Sequence, residues 1–143
     1  MLPPISVRRR APGQAVVELS LLMVLLIPVV VGAVDLGRAY YDYDLLAHAV
    51  NEGARRASFD SNADNVVARV RTAGDTLALQ AGDVTVTCYS GVTTTTKACA
   101  AVVNGDAIGV RAQFVFQPLT PWAASLLAGG QMTLTATAQR TFA

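Results

Sequence analysis

Charge is the first thing in short supply. Asp, Glu, Lys and Arg make up 15% of the 143 residues, and the net charge is +1. An average soluble protein carries about a quarter of charged residues. So balanced a chain has no electrostatic footprint for nucleic acid, and a nucleic-acid partner is excluded. Histidine is almost absent: His48 stands alone, beside two cysteines, Cys88 and Cys99. Those ligands are too few for a zinc site, so no metal is expected. A nucleophile elbow, a phosphate loop and a dinucleotide fingerprint are all missing. His48 follows Asp44 by one helical turn, the spacing of a surface pair, and Asp42 lies on the same solvated stretch, where nothing perturbs a carboxylate usefully. No catalytic residue and no cofactor is expected.

Aliphatic side chains are plentiful, and they crowd one end. After Arg8-Arg9-Arg10 and Ala11-Pro12-Gly13, the run from Ala15 to Val34 is interrupted only by Glu18, Ser20, Pro28 and Gly32 among its aliphatic and small residues. As a helix, about 20 residues at roughly 1.5 Å each span the 30 Å hydrocarbon core of a bilayer. Its Leu, Ile and Val residues favour insertion by about 5 kcal/mol, more than the roughly 3.5 kcal/mol that an acid costs at mid-span, and Glu18 lies near the end. Pro28 is tolerated in such a helix. Three arginines before the run place the N-terminus in the cytoplasm and everything after Val34 across the membrane. Export makes a Cys88–Cys99 disulfide the expected state. Two readings of the run stay open on these grounds: a secretory signal cut after Ala33, leaving a secreted module, and an uncleaved signal anchor.

A third reading uses the residues that those two leave unexplained. Basic residues, then Gly13, then Glu18, then an apolar helix resemble the processing site of type IV prepilins. The resemblance implies a membrane peptidase that cuts between Gly13 and Gln14 and makes Glu18 the fifth mature residue. The new α-amine on Gln14 lies about one turn from Glu18 and gives the carboxylate a cationic partner, in its own chain or in a neighbour's. Glu18 is then a registry residue for assembly.

No strong helix breaker occurs between Val34 and Ala57, so the helix is expected to continue into the exported space. Leu36, Tyr40, Tyr43, Ala47, Val50, Ala54 and Ala57 fall at alternating spacings of four and three, a heptad seam that packs on the chain's own sheet or on a like helix. Arg38, Asp42, Asn51 and Arg55 lie opposite, and Glu52 with Arg56 makes an i,i+4 pair. Val17-Glu18, Asp35-x-Gly37-Arg38-x-Tyr40 and Asn51-Glu52-Gly53-Ala54-Arg55 together resemble the N-terminal signature of the TadE-like family, pseudopilins or minor pilins of the tight-adherence (Tad) pilus. Pro28 lies later in the helix than the family's proline often does, and Gln14 is not the bulky apolar first residue of major type IV pilins. The resemblance implies a non-enzymatic pilin-like protein. Its implied partners are the prepilin peptidase, the major pilin and other pseudopilins, the membrane assembly platform and the lipid bilayer.

Downstream, residues 59–64 form a polar break, with Ser61 and Asp64 offering a cap for a short helix to about Ala73. Val66, Val67, Val70 and Ala73 make its apolar face. From Val84 the period becomes two: Val84, Val86 and Cys88 point one way, and the stretch from Ser90 to Lys97 is read as a loop pinned by Cys99. Asn104-Gly105 is a turn. Ile108, Val110, Ala112, Phe114 and Phe116 mark the clearest strand. Pro118 and Pro121 stop it, Trp122 to Leu127 makes a short apolar helix with Trp122 as an anchor, and Gly129-Gly130 ends that helix. Met132, Leu134, Ala136 and Ala138 mark a last strand. The run from Phe116 to Arg140 also resembles the C-terminal part of TadE-like proteins. The expected fold class is α+β: a long N-terminal helix packed on a three- to four-stranded antiparallel sheet, pilin-like. The expected divisions are a leader over 1–13, a span over 14–34, an exported helix over 35–59 and an exported α+β unit over 60–143.

Overall fold

The structure is a computed structural model that describes residues 12–91 and 95–143, with the backbone alone at 12, 122, 123, 126 and 128. The arginines of the expected leader and the side chain of Trp122 lie outside the described residues. One helix organises the rest: α1, Pro12–Ala57, unbroken through Pro28. Arg55 and Arg56 occupy its last turn, where cations complement the negative end of the helix dipole.

The polar break that stops α1 turns the chain into α2, Ala63–Ala73. Asn62, rather than the expected Ser61, caps it: the Asn62 side chain accepts from the Asp64 N–H at 2.9 Å. The switch to period two builds β1 (Val84–Tyr89), β2 (Thr96–Lys97), β3 (Ala107–Phe116) and β4 (Met132–Thr141). All neighbours are antiparallel, in the order β2-β1-β3-β4. A short helix, α3 (Pro121–Leu126), lies between β3 and β4, and the following turn carries positive φ at Gly129 and Gly130. The α+β architecture expected from the sequence is therefore present, with four strands. Part of the segment expected as a loop departs from that reading: Thr96 and Lys97 pair with Tyr89 and Cys88. The adjacent disulfide, Cys88 to Cys99 with Cα atoms 5.3 Å apart, holds that edge together.

The outer half of α1 and α2 cover one face of the sheet. Leu46, Ala49, Val50 and Ala54 meet Val66 and Val70 from α2 and Ile108, Val110 and Ala112 from β3 in a single core. The other face alternates outward with polar residues such as Arg111 and Gln113, the pattern of an antiparallel sheet packed on one side only.

The contact face of α1 is not the heptad seam. Val50, Ala54 and Ala57 are buried as expected, but nearer the N-terminus the buried positions are Asp35, Ala39 and Leu46, while Leu36, Tyr40 and Tyr43 face outward. A straight helix drifts by about 20° per heptad, so over three heptads the face moves by more than half a residue step. Asp42, expected on the solvated side, is half-buried for the same reason.

Candidate assembly site

From Gly13 to Val30 every described residue is exposed, and Val31 and Gly32 are the first to be partly covered. Apart from Val31, the Val, Leu and Ile side chains up to Val34 are exposed, and the helix is long and apolar enough to cross a membrane. Ser20 returns its hydroxyl to the Val16 carbonyl at 2.8 Å, so it presents no unsatisfied donor to an apolar medium. Gly13, Gln14 and Glu18 are all exposed, and a Cβ on Gly13 would meet no atom within 4 Å.

At Asp35 the helix becomes attached. This carboxylate is 6% exposed and accepts from the Thr120 hydroxyl at 2.6 Å, the Leu119 N–H at 3.1 Å and the Thr120 N–H at 3.3 Å. Arg38 adds a longer contact at 3.5 Å and lies over the Phe116 ring, 5.5 Å from its centroid. The Thr120 hydroxyl and then the Leu119 N–H hold the Asp35 carboxyl below its ordinary range. Thr120 is the residue just before α3, so Asp35 joins the start of the packed half of α1 to the end of β3.

About one turn before its end the helix is attached again. A Cβ on Gly53 would lie 2.2 Å from Val70 Cγ2, so only glycine allows α2 to approach this closely. Ala54 beside it is fully buried. Glu52 accepts from Arg69 of α2 at 2.7 Å and from Arg55 at 3.2 Å. Hydrogen bonding from Arg69 keeps its carboxyl low. Arg56 pairs instead with Asp60 at 2.8 Å, correcting the expected Glu52–Arg56 pair. Asn51 bonds back to the Ala47 carbonyl.

The motif positions thus divide by role. Asp35 and Arg38 form one clamp, and Glu52, Gly53, Ala54 and Arg55 form the other. Gly37 and Tyr40 belong to neither: a Cβ on Gly37 meets nothing within 4 Å, and Tyr40 is 73% exposed. Thr120, Leu119 and Arg69 had no sequence signal of their own, although a threonine before Pro121 marks a helix start, and Phe116 was legible only as a strand residue. A third carboxylate organises the far edge of the sheet. Asp106 is buried and accepts from Lys97 and from the Val103 and Gly91 N–H groups, and these bonds, Lys97 first, lower its pKa to about 2. Among the described residues no group of His, Cys, Asp and Glu side chains could hold a metal ion.

No curated protein and no solved structure matches the chain. A family model does match, over residues 13–55, the stretch that holds the bare apolar helix and both clamps. Over that segment, less than half of the chain, it is similar to the TadE-like protein family.

Proposed function

We propose that the chain is a minor pilin or pseudopilin of a Tad pilus: made as a prepilin, cut between Gly13 and Gln14, held by residues 14–34 in the cytoplasmic membrane and engaged in assembling or priming the filament. The observation that carries this reading is the division of α1. Its first half is an exposed apolar surface with a single acid, Glu18, and its second half is clamped onto a small α+β head. A helix of that kind has two uses for one surface, lipid before assembly and neighbouring helices after it. Van der Waals packing and polar contacts drive such helix association in a membrane. Glu18 supplies the polar contact, satisfied by the α-amine that cleavage creates on Gln14 of the same subunit or the next. Arg8 to Arg10 keep that end cytoplasmic. The prepilin peptidase, the major pilin, other pseudopilins and the assembly platform are the partners this role requires.

The mass of the chain recovered from membranes tests the proposal. An N-terminus at Gln14 is expected. An N-terminus at Val34 would make the protein a secreted module, and one at Met1 a simple anchor. Glu18→Ala should leave insertion intact and reduce filament formation; normal filaments in that variant would remove the registry role.

A further inference from the structure

The connection between β3 and β4 stands out by what it lacks and by where it sits. Between Arg111 and Arg140 there is no Asp, Glu, Lys or Arg at all. That stretch runs down β3, through α3 and back up β4, so its middle forms one end of the head. Phe116 paired with Met132 closes the sheet there. The Leu119 and Thr120 N–H groups bond Asp35, which fixes this end at the first residue beyond the span. Leu119 is nonetheless 69% exposed, and Val115 near the end of β3 is exposed as well. The opposite end of the head holds the ion pairs of Glu52, Arg55, Arg56, Asp60 and Arg69 and the Lys97–Asp106 pair. Charge is therefore polarised along α1: at the end near the apolar half it is limited to the Asp35–Arg38 pair, and the other ion pairs lie away from it.

Geometry sets the depth. The headgroup layer adds about 5 to 8 Å on each side of the hydrocarbon core. At roughly 1.5 Å per residue this takes about three to five residues of helix beyond Val34. Asp35 and the segment bonded to it fall inside that layer. Tyr40 and Tyr41, both exposed, lie just beyond it, and their Cα–Cβ bonds tilt back toward the helix N-terminus and so toward the interface, where tyrosine is enriched in membrane proteins. The one acid at this level, Asp35, carries its charge into a set of hydrogen bonds and Arg38 rather than toward lipid. Arg38, partly exposed, has the long stem that lets a cation reach phosphate while its aliphatic part stays in apolar surroundings.

We propose that residues 117–131 are a second membrane contact: a foot that rests in the headgroup layer on the exported side, held at that depth by Asp35. The foot rests on the reading of residues 14–34 as a span. It fixes the tilt of the head on the bilayer before assembly, which a single helix cannot do, and it covers Leu119 with lipid rather than with another protein.

Single-cysteine labelling of the full chain, with the native disulfide left oxidised, tests this. An environment-sensitive fluorophore is placed at Leu119→Cys, at Val24→Cys in the span and at Phe59→Cys, an exposed site at the charged end. Each protein is reconstituted alone in phosphatidylcholine–phosphatidylglycerol vesicles, with and without brominated acyl chains. The expected result is quenching with a blue-shifted emission at Val24 and Leu119, and neither at Phe59. Quenching at Val24 with a Leu119 label as wet as that at Phe59 overturns the foot and leaves the span standing. A Leu119 label that is shielded from water yet untouched by brominated lipid means that copies of the chain cover it, and also overturns the proposal. Absence of quenching at Val24 defeats the span reading itself, and the foot with it. Circular dichroism of the labelled proteins checks that each keeps its fold.

Discussion

The two halves of α1 share one backbone and differ in what surrounds them. Residues 14–34 expose nearly every aliphatic side chain, while from Asp35 to Ala57 the same helix buries one face against β3, β4 and α2. The bare half is apolar all round and needs only length. The packed half is apolar on one stripe and needs exact small residues, Gly53 and Ala54 above all, where α2 comes close. A helix surrounded by lipid is specified by composition, whereas a helix on a protein core is specified by shape.

Substitutions of equal kind in the two halves should break this symmetry most visibly. Leu46 is 0% exposed, and Leu46→Ala should destabilise the head by about 2–5 kcal/mol. Val24→Ala, in the bare half, should change the unfolding free energy of the head, read by the same denaturant titration, by less than about 0.5 kcal/mol. A matching loss from Val24→Ala would show that the halves fold as one unit.

Next in size is Gly53→Ala. It gains about 1 kcal/mol of helix propensity but drives a methyl into Val70, and overpacking of this kind costs about 1–3 kcal/mol. A net loss of thermal stability is expected, with weakened hydrogen-exchange protection in α2. Stabilisation would mean that α2 moves aside freely and the second clamp is loose. Gly37→Ala is the control, because nothing lies within 4 Å of its Cβ.

The smallest effect is the pH response of the sheet edge. The Asp106 pKa is lowered to about 2 by Lys97 and two backbone N–H groups. A carboxyl lower in the folded chain than in the unfolded chain stabilises fully above the unfolded value, near 4 for aspartate, and loses that contribution as pH falls toward the folded one. Acid titration should therefore weaken the β1–β2 edge between about pH 4 and pH 2, read as rising amide exchange at Lys97 and Val103. Asp106→Asn should flatten this response, and an unchanged titration in that variant would assign it to other carboxylates.

Much of this was legible in the chain. Alternation at Ile108, Val110, Ala112, Phe114 and Phe116 marks β3 because a one-sided sheet writes its inside and outside in alternate residues. The apolar face of α2 was readable for the analogous helical reason. What failed shows why such reading stops. The face of α1 rotated away from the heptad seam because the period of a straight helix differs slightly from 3.5, an error that grows with length. Glu52 chose Arg69, 17 positions away, over Arg56 on its own helix. Strand β2 is two residues long and carries no alternation to read; a disulfide and Asp106 hold it.

By itself the sequence determined the apolar helix with its single acid, the class of the head and the family resemblance, because burial in lipid and burial in a sheet each impose a period or a composition on neighbouring residues. Only the tertiary structure decided where the helix ceases to be bare. Asp35 meets Thr120 across 85 positions of chain. Nothing local in either residue encodes that contact; it exists because β3 runs back along α1 and delivers its end to the first turn beyond the bare half.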